Sequence, residues 1–389
     1  MEIDYINGPK TYKIFGMSKY QMEIHKRLDI KLNIIEYDSI MYNLEKRYIP
    51  TISTNETPME YYNNISSRDT SKLKNFLIEL GKTVFKNIDR YKYQLEVKKN
   101  IKDANIKHIT SQEFAYLLNS IKMDMSVVTC YDLIPWAFEK NHSKIWKNNI
   151  AGLKKAKRIM TISEFSKSEI IKYLDYPEDK IHIVSPAVDH DVYFENENKE
   201  ILNKFHISNE EKVVLYVGSE TPRMNVPVLI KAFSKLKKKI PGIKMVKIGE
   251  SQSYGARENI LKLINELDLQ DDIIFVGYVK EEDMPRWYNA ADILVYPCTY
   301  AGFGLPPLEA MSCGTPVITS NTTSLPEVVG DAGLMVNPQN FELMADMIYN
   351  LLKDDELRND MIIKGLKRAK MFSWDESAKK TLKIYKMMI

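Results

Sequence analysis

The sequence predicts an α/β protein built on doubly wound parallel sheets. Two observations carry that expectation. Over the second half of the chain, short apolar runs alternate with helix-period segments at least four times. These runs are continuous rather than alternating, which is the pattern of strands buried on both faces. The length, 389 residues, is a third observation: it is long for one domain and comfortable for two.

The first half alternates less cleanly. Residues 41–100 are rich in Tyr, Asn and Lys and leave two readings open, helical insertions or a mobile lobe. "MSVVTCYDLIP" (125–135) reads as a strand and a loop. Further on, a helix leads into the strand "RIMTIS" (158–163), and a second helix starts at Ser163, with Ser166 and Glu169 nearby. The polar, charged stretch "DHDVYFENENKEILNKFHISNEEK" (189–212) marks a boundary, placed at 195/196.

The second half reads in order. "KVVLYVGS" (212–219) is a buried strand ending in Gly. In the following segment Val228, Leu229, Ala232, Phe233 and Leu236 recur at helical spacing, and lysines with Pro-Gly close it. Then come the strand "IKMVKIG", the helix "RENILKLINELDL", the strand "DIIFVGYV", the helix "EDMPRWYNAA" and the strand "DILVYP". A short helix and the strand "TPVITS" follow. At the far end Ser373 and Glu376 form a capping box, and Trp374, Ala378, Leu382 and Tyr385 share one face of a terminal helix.

Composition excludes little. Residues 1–190 carry 30 Lys and Arg against 24 Asp and Glu, and the remainder carries 25 against 28. The basic half is read either as a solvated surface or as a face for lipid head groups and phosphates. The N-terminus "MEIDYINGPK" lacks a basic region followed by an apolar one, so no signal peptide is expected. No apolar run is long enough to span a bilayer. Cys130, Cys298 and Cys313 form no CxxC pair and have no His at ligand spacing, so buried thiols are expected and no metal.

The most informative stretch is "YAGFGLPPLEAMSCGTPVI" (300–318). Pro306 and Pro307 suit the first turn of a helix, and Gly314 suits its end. Gly302 and Gly304 allow close approach of backbone to a ligand. Amides of Phe303, Gly304 and Leu305 at a helix N-terminus favour an anion, with phosphate the expected guest. Glu309 compensates the helix dipole or accepts hydrogen bonds from a vicinal diol such as a ribose. A G-x-G loop alone is a weak signal, but this one lies between two strands and opens a helix.

"GFGLPPLEAMSCGTPVI" followed by "SLPEVVGDAGLMVNP" resembles the donor-site signature of retaining glycosyltransferases of family 4, which have the GT-B fold. "VVTCYDLIP", "AKRIMTISEFSKSEI", "PEDKIHIVSPAVD", "LYVGSETPRMNVPVLIKAF", "IIFVGYV" and "FSWDESAKKTLKIY" match in order and spacing, and roughly the last 260 residues are covered. The resemblance implies two Rossmann-like domains facing across a cleft. These are an acceptor-side domain over 1–195, a nucleotide-sugar domain over 196–372, and a helix over 373–389 that docks back towards the first.

The implied chemistry is transfer of a sugar from a UDP- or GDP-sugar to a hydroxyl of a glycan or lipid-linked acceptor, with retention. On this pattern Gly218 leaves room for the diphosphate, Arg223 supplies charge to it, and Glu309 binds the ribose. Phe303, Gly304 and Leu305 bring amides to the sugar and diphosphate, and Gly277 and Tyr278 lie at the base pocket. No metal or other cofactor is implied, and no nucleic-acid partner. The expected location is cytoplasmic, at the inner membrane surface, with peripheral membrane contact from the basic half and residues 61–100.

Three positions depart from the family pattern. Ala301 stands where a Glu contacts the donor sugar, and Met224 where a Lys holds the diphosphate. Tyr131 and Asp132 stand where a His-Asp pair lies near the acceptor, and they are the catalytic candidates together with Arg223. The charge missing at Met224 is supplied by Arg223 or by a basic residue of the first domain such as Lys19; "FGMSKY", with Gly16 and Ser18, is read either as an ordinary turn or as a stand-in for an N-terminal Gly-rich donor loop from which Lys19 would reach across the cleft. The alternative function is a catalytically weak or inactive scaffold subunit; a sugar-nucleotide epimerase lacks the acid/base set it would need.

Overall fold

A computed structural model describes residues 1–9, 16–39, 87–252 and 255–389. The described residues divide into two compact units. The first runs to Ser185 and includes Asp375–Ile389, and the second is Pro186–Trp374. The division falls ahead of the polar stretch that marks the boundary in the sequence. The reading of residues 41–100 lies, up to residue 86, outside the described residues; 87–100 are helical.

The first unit carries a six-stranded sheet of β1 (Glu2–Pro9), β2 (Lys31–Tyr37), β3 (Ile106–Ile109), β4 (Ser126–Thr129), β5 (Arg158–Thr161) and β6 (Ile181–Ile183). Its order is β2-β1-β3-β4-β5-β6, and every pair is parallel. The second unit carries β7 (Val213–Val217), β8 (Lys244–Ile248), β9 (Ile273–Gly277), β10 (Ile293–Tyr296), β11 (Val317–Ser320) and β12 (Leu334–Val336). Its order is β12-β11-β10-β7-β8-β9, again all parallel. Parallel pairing demands a crossover after each strand, which is why the helices fall between strands in the chain.

Each order reverses at one place, between β1 and β3 in the first sheet and between β7 and β10 in the second. Loops leaving the carboxyl ends of neighbouring strands part there, and a crevice opens that suits ligands.

Local chemistry accounts for the main helices. The first helix, α1 (Gly16–Arg27), has His25, Lys26 and Arg27 in its last turn, which complements the helix dipole. Ser163 opens α2 (Glu164–Leu174), its hydroxyl accepting from the Ser166 amide at 3.0 Å. In α3 (Val226–Lys239) Leu229, Ala232, Phe233 and Leu236 are fully buried, and three lysines close the last turn. Burial of each large side chain there stabilises by about 1.5–3 kcal/mol.

The terminal helix, which we call α7 (Trp374–Lys386), buries Trp374, Ala378 and Tyr385 of the four residues the spacing places on one face, while Leu382 is half-buried. Tyr385 Oη lies 2.6 Å from Nδ1 of His108 on β3, and Nε2 of His108 lies 2.8 Å from Thr129 Oγ1 on β4. Burial holds the His108 pKa down to about 3, so the ring is neutral and spans helix and sheet through both nitrogens. Asp4 on β1 is fully buried and fully used: it accepts from Asn33, Asn105 and the Lys102 amide at 2.7–2.9 Å.

All three cysteines are free and buried. Among the described residues no helix is long and apolar enough to cross a membrane.

Candidate functional site

In the second unit the loops after β7 and β10 meet at the sheet's reversal. The Thr299 amide and hydroxyl both donate to the Arg223 carbonyl, at 2.7 and 3.0 Å. Asn225, with φ of 58°, donates from Nδ2 to the carbonyls of Pro297 and Pro338. Two loops far apart in sequence are thereby locked into one wall.

The glycine-rich loop Ala301–Gly304 is buried and leads into α6 (Leu305–Ser312). Ser324 holds it from behind, donating to the carbonyls of Ala301 at 2.9 Å and Phe303 at 2.7 Å. Gly304 has φ of 126°, which favours glycine, and a Cβ there would lie 2.8 Å from Leu325 Cδ2, so that side chain would have to shift for any other residue. Leu305 is half-buried as the first residue of α6, and Gly314, with φ of 72°, ends that helix as the sequence indicates.

Glu309 sits on α6 and is 7% exposed. Its Oε2 accepts from the Tyr288 hydroxyl at 2.7 Å. Tyr288 lies on α5 (Met284–Ala290), and burial, with the Glu309 charge behind it, pushes its pKa well up. The hydroxyl therefore keeps its proton and acts as a permanent donor to Glu309. One carboxylate oxygen is oriented by the protein.

Glycines mark the ends of three adjacent strands. The Gly218 amide donates to Ile248 at 2.9 Å, and the Gly249 amide to Gly277 at 2.7 Å. A Cβ on Gly218 would lie 2.4 Å from Met224 Cε, and one on Gly249 would lie 2.4 Å from the Gly218 carbonyl oxygen. Gly277 has φ of 77° with open space where its Cβ would be, and Tyr278 follows it, half-buried.

The departures now have structural accounts. Met224 is 3% exposed and belongs to the unit's hydrophobic core, under Gly218. Ala301 also lies in that core, its amide bonded to Thr323 Oγ1 at 3.1 Å. Arg223 is half-buried, and its Nη1 donates to the Tyr300 carbonyl at 3.2 Å. That contact makes it a clamp between the two loops.

In the first unit a cavity of about 440 Å³ opens at the β1/β3 reversal, lined among others by Asn7, Gln21, Glu36, Ser111 and Tyr131. Asn7 Nδ2 donates to Glu36 at 2.7 Å, and Gln21 Nε2 donates to the Thr110 carbonyl at 2.9 Å. Gln21 also accepts from the Tyr5 hydroxyl and donates to the Tyr131 hydroxyl. Burial raises the Tyr131 pKa far out of the neutral range, so its hydroxyl stays protonated. Asp132 Oδ1 accepts from the Ile134 amide at 2.9 Å and so caps the short turn that follows.

One expectation is corrected. Gly16 is the first residue of α1, and Met17, Ser18 and Lys19 continue that helix. Residues 16–20 are helical rather than a loop, and Lys19 is 5% exposed. Residues 10–15 lie outside the described residues.

The sequence reading missed Tyr288, Ser324, Gly249 and Gln21. Tyr288 lay in a segment read only as a helix, and its role depends on Glu309, twenty-one residues on. Gly249 was visible as a glycine closing "IKMVKIG". Gln21 gave no signal at all.

Comparison with known proteins adds the family. The family described as "Glycosyl transferases group 1" matches residues 197–368. The O-antigen chain mannosyltransferase B of Escherichia coli is 31% identical over 100% of both chains. The serotype-specific mannosyltransferase WbdA of Escherichia coli is 30% identical over 65% of this chain, which spans 32% of that protein. Anabaena HepE, solved in complex with UDP and glucose, has a TM-score of 0.72 at 16% identity, covering 98% of each chain. With the two parallel sheets, that likeness identifies the fold as GT-B.

Proposed function

From the premise that the chain belongs to the group 1 glycosyl transferases, and so is an enzyme that takes its sugar from a nucleotide-linked donor, we propose that it transfers mannose. The donor is a UDP- or GDP-linked sugar, the acceptor is a glycan hydroxyl, and the anomeric configuration is retained. The mannose assignment rests on the full-length relative named a mannosyltransferase. The scaffold alternative is not retained.

The observation that carries the donor site is the convergence at the β7/β10 reversal of the glycine loop Ala301–Gly304 and a Glu309 carboxylate oriented by Tyr288. We assign the ribose diol to Glu309 and the diphosphate to amides at the start of α6 and the backbone beside Gly218. When the sugar leaves, negative charge grows on the diphosphate, and fixed amide dipoles stabilise it without reorganising. Arg223 serves by holding the loop, and the base falls to Gly277 and Tyr278.

We assign the acceptor sugar to the cavity of the first unit, whose walls mix apolar side chains such as Met17, Ile34 and Phe114 with Asn7, Glu36 and Ser111. Tyr131 offers it a protonated hydroxyl for binding, in place of a proton-accepting group. Asp132 orients the adjoining turn. No metal takes part in the proposed transfer, so a chelator is expected to leave the rate unchanged.

Calorimetry with UDP, GDP, UDP-glucose and GDP-mannose tests the donor site. Micromolar binding of one nucleotide is expected, weakened about 10- to 100-fold in Glu309→Ala, as for loss of a hydrogen bond to a charged group. Equal affinity in that variant removes Glu309 from the site. The anomeric NMR signal of the first-formed product tests retention, and an inverted signal overturns it.

A further inference from the structure

Two consecutive residues at the end of β1, Asn7 and Gly8, organise one wall of the cavity in the first unit. Asn7 is held at both ends of its side-chain amide. Its Oδ1 accepts from the Thr110 hydroxyl at 3.1 Å, and its Nδ2 donates to Glu36 Oε1 at 2.7 Å. The Asn7 carbonyl also accepts from the Tyr93 hydroxyl. Glu36 is half-buried on β2, and it lines the cavity together with Ile34, because residues two apart share one face of a strand. The carboxylate is therefore fixed through one oxygen. Its Oε2 takes no hydrogen bond among the described residues.

Gly8 seats an aromatic ring. A Cβ there would lie 2.8 Å from Cε2 and Cζ of Phe114, so the ring rests against bare backbone. Phe114 also packs edge-on against Tyr93, with centroids 5.5 Å apart and planes at 77°. Half-buried, it lines the same space of about 440 Å³ as Glu36, a volume suited to a small molecule. A fixed carboxylate and a fixed ring thus border one cavity. A sugar offers what both need. Its hydroxyls donate to the carboxylate, and its C–H face covers the ring.

We propose that Glu36, positioned by Asn7 and sharing the cavity with the Phe114 ring, is a specificity-determining residue for the acceptor. Its Oε2 accepts a hydrogen bond from a hydroxyl of a neutral terminal sugar that packs on Phe114. This rests on the assignment of the acceptor to this cavity. A sugar without that hydroxyl leaves a desolvated carboxylate oxygen unpaired, which is how a polar site rejects a close analogue. The charge of Glu36 also disfavours a phosphorylated or acidic sugar at the same place.

The test is a saturation-transfer NMR titration of methyl α-mannopyranoside and each of its monodeoxy analogues. Wild type, Glu36→Gln and Phe114→Ala are compared, with folds checked by thermal melting. In the wild type at least one analogue should bind about tenfold or more weaker than the parent glycoside, as for a hydrogen bond to a charged group. In Glu36→Gln that preference should fall to about twofold or less, a coupling that loosened packing alone does not produce. Phe114→Ala should weaken the parent and the analogues alike. A wild type that binds the parent and every analogue equally overturns the proposal. So does a wild-type preference kept in Glu36→Gln while Phe114→Ala weakens binding, because the sugar then lies in the cavity unread by Glu36. Affinities unchanged in both variants, or no binding to the wild type, overturn the acceptor assignment itself, and this inference with it.

Discussion

His108 makes the fold sensitive to acid in a way that can be worked through. Its ring is fully buried, contacts Tyr385 and Thr129 through its two nitrogens, and has its pKa lowered to about 3 by burial. In the unfolded chain the value is about 6.5. Because the folded pKa is the lower one, the unfolded state takes up the proton first as pH falls. The stability contribution is complete above pH 6.5 and is lost progressively towards pH 3. The slope is about 1.4 kcal/mol per pH unit, so moving from pH 7.5 to 5.0 costs about 2 kcal/mol through this one residue. Urea unfolding at the two pH values, in wild type and in His108→Gln, isolates it. The variant should be less stable at pH 7.5, yet lose about 2 kcal/mol less on acidification. Equal pH dependence in the two proteins would refute the assignment of a buried neutral ring clamping α7 to the sheet.

Two further outcomes follow from single positions. Asp4→Ala strands the buried Asn105 and the Lys102 amide without their acceptor, while Asn33 keeps the Asn100 carbonyl; a loss of about 3 kcal/mol in urea unfolding is expected, and a loss below about 1 kcal/mol would contradict that accounting. Gly249→Ala forces a side chain onto the Gly218 carbonyl at a φ of 112°; it should destabilise by about 2 kcal/mol or more and weaken nucleotide-sugar binding together, so an unchanged melting temperature with normal binding would show that the strand ends relax freely.

The sequence by itself determined the elements and several of their ends. Continuous apolar runs closed by glycine became parallel strands, and Ser163 and Gly314 marked helix ends, because periodicity and capping act within a few residues. The glycine loop before α6 was legible for the same reason: a backbone with φ of 126° at Gly304 leaves a local signature. The stretch after Gly16 reads as a turn in sequence and is helix in the structure, because a glycine suits a turn and a helix start alike and only the path of the chain distinguishes them.

Tertiary structure decided what those elements do. Strand order put the loops after β7 and β10 side by side, although about seventy residues separate them in the chain. It turned Met224 into core, gave Arg223 a carbonyl to clamp, and set Tyr288 against Glu309. It also drew Lys247, an apparent interruption of an apolar strand, into a dry cluster with Glu220 and with Arg257 of α4 (Ala256–Glu266). None of these pairings leaves a periodic trace. Each depends on which strands lie next to one another, and that is settled by the whole core packing at once rather than by any neighbouring stretch of sequence.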